Sequence, residues 1–231
     1  MSKRSFLMVL FLTFFTGAIF AAWPQADIAV SSYFFTNGFT LSHDAAARMI
    51  RRVLFYLPAV VLAGMALAWL AGRFGAGGKL AERFAGFAPS TRGLVFAASA
   101  MALGPGLLVN VVLKDHWDRP RPVHVRQFNG PDQFRPWWRT DGACKKNCSF
   151  VSGEVAAATW LTAPAMLTPP HVRAAAYVAV IMIGSVTAAG RLAFGGHFLS
   201  DVLFAALLSL MICQLLFRAF FGWRDSSRRQ R

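Results

Sequence analysis

The chain has 231 residues and a formal net charge of +14, yet only 15% of its residues are charged while 56% are hydrophobic. A mean hydropathy of +0.46 excludes an ordinary soluble domain. So basic a chain raises nucleic acid as a partner, but attraction to anionic headgroups of a lipid bilayer explains the charge better, so no nucleic acid is expected.

Apolar runs of bilayer-crossing length lie at about 5–23, 53–72, 93–113, 153–169, 174–190 and 202–222. They predict an all-α, polytopic membrane protein with six transmembrane helices, read as a single integral-membrane domain over 1–231. The first run follows Lys3 and Arg4, as a signal peptide would, but it is longer than the roughly 7–15-residue apolar core of such a peptide. It is therefore read as a spanning helix. Basic residues before it and Asp27 after it place the N-terminus inside. On that orientation the 24 Lys and Arg divide evenly between the two sides. Cations kept outside against the usual bias are those an anion-binding site would need.

The third run leads into "LKDHWDRPRP", residues 113 to 122. Its prolines stop the helix and stiffen the exit, which fixes where the Arg side chains of this stretch point; alone, such a stretch, with Lys114 and Arg121, reads as a headgroup anchor. In the same loop Cys144 and Cys148 are four apart. They are a disulfide candidate if the loop faces an oxidising compartment, and zinc is disfavoured for want of a second ligand pair. Cys213 reads as a small buried hydrophobe.

The fourth run opens at "VSGE", residues 151 to 154. Ser152 and Gly153 start a helix, where free N–H groups and the dipole favour an anion such as phosphate. A plain cap, Ser152 with Glu154 in the first turn, fits the same residues.

The fifth run ends in "GRLAFGGHFLSD", residues 190 to 201. His197 and Asp201 are four apart, so on a helix the carboxylate can accept from one imidazole nitrogen and leave the other nucleophilic. Together, Lys114, Arg121 and Arg191 supply positive charge, the Ser152–Gly153 turn supplies donors, and His197 with Asp201 supplies an oriented nucleophile. Those are the parts of a phosphoryl-transfer site that needs no metal or other cofactor, since the cations neutralise the phosphate oxygens.

In this order and spacing the three clusters resemble the type 2 phosphatidic acid phosphatase family, which includes bacterial lipid phosphatases and the vanadium haloperoxidases. Lys, six residues, then Arg-Pro matches Lys114 to Arg121-Pro122; Pro-Ser-Gly-His is similar to Val151-Ser152-Gly153-Glu154. Ser-Arg, five residues, His, three residues, Asp matches Arg191, His197 and Asp201, with Gly190 where Ser is usual. The resemblance covers about 93–222 and leaves the first two spans, within 1–92, outside it. It implies that His197 forms a phosphohistidine, that Asp201 orients it, and that Lys114, Arg121, Ser152, Gly153 and Arg191 hold the phosphate.

Glu154 stands where the family has a His that protonates the leaving oxygen and then activates water. Either Glu154 takes over as general acid and base, or the activity is altered or lost. The resemblance implies a bacterial inner-membrane enzyme facing the periplasm, hydrolysing a phosphate monoester or pyrophosphate on a lipid headgroup: lipid A, undecaprenyl pyrophosphate, phosphatidylglycerol phosphate or phosphatidic acid. A lipid phosphotransferase and a non-catalytic lipid-binding or transport protein are the alternatives. Arg126, Arg135, Arg139, Lys145 and Lys146, with Trp137 and Trp138, point either to a large anionic headgroup or to an interfacial belt. The oligomeric state is left open.

Overall fold

A computed structural model describes residues 3–74 and 88–222. Lys79, Arg83 and the arginines after residue 222, which enter the charge count, lie outside them. The described residues form helices and loops: α1 (Lys3–Ala22), α2 (Gln25–Tyr33), α3 (Ala45–Phe74), α4 (Thr91–His116), α5 (Gly153–Trp160), α6 (Thr162–Leu167), α7 (Pro170–Ala193) and α8 (Leu199–Phe221). Of these, α1, α3, α4, α7 and α8 are long and apolar enough to cross a membrane.

The fourth of the six expected spans, over 153–169, is divided into the short pair α5 and α6, 8 and 6 residues long, meeting at Leu161. Pro164 is the physical reason. It has no N–H to give to the carbonyl of Trp160, so one bond of the helix is missing beside the break. Apolarity in this stretch reflects burial inside protein instead: Val155, Ala156, Ala158, Trp160, Ala163 and Met166 are all buried. Around this centre pack α3, α4, α7 and α8, while α1 lies along α8. The outer helices expose Phe14, Val60 and Ile181, at 72%, 63% and 66%, as a face bathed in lipid requires.

From Ala102 to Leu113, α4 is wound wide, a departure from the α-helix that recurs at functional sites. Within it the Asn110 side chain donates to the Pro105 carbonyl at 2.8 Å. The wider turn brings Ala102, Gly106, Asn110 and Lys114 onto one face, which lines a deep cleft.

Candidate active site

His197 lies in the turn between α7 and α8. Two glycines make that turn possible. Gly195 adopts a φ of +64°, which costs a residue with a Cβ more than glycine, and a Cβ at Gly196 would collide with the guanidinium of Arg191. His197 is 2% exposed, and its Nδ1 lies 2.7 Å from the Ser149 carbonyl. A carbonyl only accepts, so Nδ1 carries the proton and Nε2 is left with its lone pair free. Burial, reinforced by the nearby Arg191 and Arg121, outweighs the pull of Asp201 and pushes the imidazole down to about 4.

Asp201 does not hold the ring in the way its spacing predicts. Its Oδ2 is 3.8 Å from Nδ1, beyond hydrogen-bond range. Instead it accepts from Ser149 Oγ at 2.5 Å and from the Phe198 amide at 2.8 Å, and it is ion-paired to Arg119. Asp201 thus fixes Ser149, whose carbonyl fixes His197. The register is the cause: Asp201 sits in the first turn of α8 and turns its carboxylate back onto the helix start, as first-turn acids do, while His197 precedes the helix.

Behind Asp201 lies a buried network that the motifs do not disclose. Arg119, fully buried, bridges Asp201 and Asp27, with Asp27 Oδ2 at 2.7 Å. The same guanidinium donates to Ser200 Oγ at 2.8 Å and to the Arg135 carbonyl at 2.9 Å and lies over the Phe198 ring, 4.5 Å from its centroid. Asp27 also accepts from the Ser200 amide and hydroxyl. Burial, only partly offset by Arg119, pushes the Asp27 carboxyl above its ordinary range.

The cations converge from three elements. Lys114 Nζ donates to Asn147 Oδ1 at 3.2 Å, and Arg121 Nη2 donates to the backbone and side-chain oxygens of Asn147 at 2.8 and 2.9 Å. Asn147, with a φ of 52°, is a residue type that tolerates this left-handed turn. It lies inside the Cys144–Cys148 disulfide loop, so that small ring presents the oxygens that gather Lys114 and Arg121. Gly153 makes room for them: a Cβ there would sit 2.7 Å from Asn110 Oδ1 and 3.1 Å from Lys114 Nζ.

Ser152 is drawn away from the cleft. It is fully buried, and its hydroxyl accepts from the Val155 amide at 3.5 Å as the cap of α5; Gly153, not Ser152, lines the cavity.

Glu154 is gripped by two arginines. Arg51 on α3 reaches its oxygens at 3.1, 3.1 and 2.7 Å, and Arg191 Nη1 lies 3.3 Å away. Burial pushes the carboxyl up, but the Arg51 hydrogen bonds and the charges of Arg191 and Arg51 prevail and hold it below its usual range. It is ionised before substrate binds.

Arg51, Lys114, Arg121, Glu154, Arg191 and His197 all line one cavity of about 630 Å³, whose far end is the apolar groove between α3 and the wide part of α4. The loop cations take no part in it. Arg135 and Arg139 pair with Asp141, and Trp137 is packed against Phe150 and Phe204 in the core. Among the described residues no cluster of three His, Cys, Asp or Glu is placed to hold a metal.

The imidazole's position makes a pH prediction. A nucleophilic imidazole must be neutral, so in that role, with its pKa at about 4, His197 should not be silenced by protonation until well below the ordinary His value of about 6.5. In a profile of kcat/KM corrected for the substrate's own ionisation, the acid limb from His197 should fall near 4. A limb near 6.5 would mean a solvated ring.

A model of the PAP2 superfamily matches residues 93–225. The lipid A 4'-phosphatase of Rhizobium leguminosarum is 36% identical over 233 residues, covering 93% of this chain and 94% of that protein. The lipid A 4'-phosphatase of Francisella tularensis subsp. novicida is 32% identical over 211 residues, covering 90% and 91%. In fold, the chain is similar to the crystal structure of a transmembrane PAP2 type phosphatidylglycerolphosphate phosphatase from Bacillus subtilis, with a TM-score of 0.52, 16% identity and coverage of 91% and 93%.

Proposed function

The chain belongs to the PAP2 superfamily, and from that premise we propose that this membrane lipid phosphatase works without a metal, by a phosphohistidine on His197, on lipid A. The convergence of Lys114, Arg121 and Arg191 with His197 on one cavity that runs into an apolar groove carries the reading. Cations at one end suit a phosphate and a groove at the other suits a lipid tail, so the headgroup meets the nucleophile where a bilayer would present it. Lipid A is chosen because relatives with that printed name match over nine-tenths of the chain.

In the first step His197 Nε2 attacks phosphorus; the N–P bond forms as the P–O bond to the lipid breaks, and the leaving oxygen takes up a proton. In the second, water attacks the same phosphorus, the N–P bond breaks, and the water's proton passes to a base. Lys114, Arg121, Arg191 and the Gly153 amide hold the equatorial oxygens. Glu154 is the carboxylate in the cleft for both proton transfers. Substrate makes this possible, because a phosphate dianion offers Arg51 and Arg191 a second partner and so raises the proton affinity of Glu154.

Orientation obeys the same logic. The disulfide beside the site and the charges flanking α1 support an inner-membrane protein with this site facing the periplasm.

The test is phosphate release by the purified protein from lipid A, undecaprenyl pyrophosphate, phosphatidylglycerol phosphate and phosphatidic acid, with EDTA present. Lipid A should be the preferred donor; a dependence on added divalent ion would overturn the metal-free reading, and release of little inorganic phosphate while a second lipid becomes phosphorylated would identify a phosphotransferase. Glu154→Gln should lower kcat by ~10²–10⁴-fold with a smaller change in KM, the range of a lost general acid. Glu154→His should retain measurable activity. If Glu154→Gln turns over like the wild type, Glu154 serves only to anchor Arg51 and Arg191.

A further inference from the structure

Gly190 precedes Arg191 on α7, and a Cβ added there would meet nothing within 4 Å. The open space belongs to a second cavity of about 460 Å³ between α3 and α7, a volume in the range of small-molecule sites, about 300–1,000 Å³. Apolar Leu41, Ile50, Leu54, Val186 and Phe194 form its walls. Its charged end is built from Arg51, Glu154 and Arg191, the same three side chains that line the catalytic cleft. Two apolar cavities therefore flank one ion pair, with α3 as their common wall.

Ile50 and Val186 are 54% and 53% exposed, so the second cavity opens sideways onto the lipid-facing surface. Within hydrocarbon, an apolar groove gains little from one chain over another, because every tail is equally apolar. Selection must come from what the chain is attached to. A chain tethered to a phosphate already held by Arg191 and Arg121 enters at a high effective concentration, whereas a free bilayer lipid does not. The shared charged end makes the substrate's own hydrocarbon the favoured occupant.

We propose that the α3–α7 cavity is a second acyl-chain site, and that the substrate is a lipid phosphate whose hydrocarbon arms part on either side of the Arg51–Glu154 pair. This rests on the phosphatase reading. One arm runs along the α3–α4 groove and the other passes over Gly190. A single-chain lipid phosphate fills only the first.

Val186 and Gly190 are four apart and share a face of α7, so each can be enlarged to block the cavity. Gly190 is helical with open space above it, so Gly190→Leu fills the cavity without backbone strain; Val186→Trp is an independent second variant. With the full chain in detergent, each should lose at least about tenfold in kcat/KM on lipid A, which carries several chains, and stay within about twofold on dodecyl phosphate, which carries one. Equal losses on both substrates, or no loss on lipid A, would overturn the assignment.

Occupancy can be read without turnover. Lipid A bearing a diazirine in its acyl chains should crosslink to the 186–194 segment in the wild type and not in Gly190→Leu. Equal labelling by diazirine phosphatidylcholine would make this a generic bilayer contact and overturn the proposal. A wild type that crosslinks yet releases no phosphate would sink the phosphatase reading and leave the chain site standing, whereas release without crosslinking would do the reverse.

Discussion

His197→Ala is expected to abolish phosphate release from every lipid substrate. The reason is chemical. On the proposed mechanism, removing Nε2 removes the atom that accepts phosphorus, and no second imidazole lines the cleft among the described residues, so the covalent route would close. What remains is the cation cluster, which should still bind phosphate, so inhibitor affinity should change far less than kcat. A measured turnover comparable to that of the wild type would end the phosphohistidine mechanism. Trapping phosphate on the protein with radiolabelled substrate, then locating it by acid-labile, base-stable chemistry, gives an independent check.

The second large effect lies away from the reacting atoms. Arg119→Ala should destabilise the protein by ~3–5 kcal/mol, the cost of leaving a buried charge without its partner, and here two carboxylates are stranded at once. Arg119→Lys should fall between, because an ammonium lacks the fork that lets one side chain reach Asp27 and Asp201 together. Thermal unfolding in detergent reads the effect directly. If Arg119→Ala melts with the wild type, the bridge is dispensable and Asp27 and Asp201 are held by Ser200, Ser149 and the backbone alone. Asp201→Asn is milder. It keeps a first-turn acceptor, so it should displace Ser149 and His197 without dismantling the site, leaving a small residual activity.

The centre of the candidate site is legible in the sequence because its spacing is local. Lys114, Arg121, Gly153, Arg191 and His197 each sit in a short pattern whose spacing survives folding, and all of them reach one cavity. The supporting residues are not legible, for a geometric reason. Arg51 and Asp27 come from the first helices, outside the matched family region of 93–225, and nothing local says that α3 will lay Arg51 across Glu154 or that α2 will lay Asp27 against Arg119. In the sequence Arg119 is a spacer between Lys114 and Arg121, one basic residue among several, and only burial distinguishes it. Asn147 has one weak signal, its place between two cysteines. The fourth run reads as a span by its length although Pro164 marks the break; apolarity alone cannot separate a helix surrounded by lipid from one surrounded by protein.

The cluster of Arg51, Lys114, Arg121 and Arg191 around one carboxylate sets a limit on how robust this protein can become. Like charges crowded into a partly buried cleft repel one another when no phosphate is bound, and the fold tolerates that repulsion because packing elsewhere, such as the Arg119 bridge, compensates. Selection for a more durable fold would neutralise one of them first, and on the proposed reading would thereby weaken the grip on phosphate. Durability and affinity are thus opposed at these positions, so improvements in one without loss of the other must come from surfaces remote from the cleft, on the lipid-facing helices.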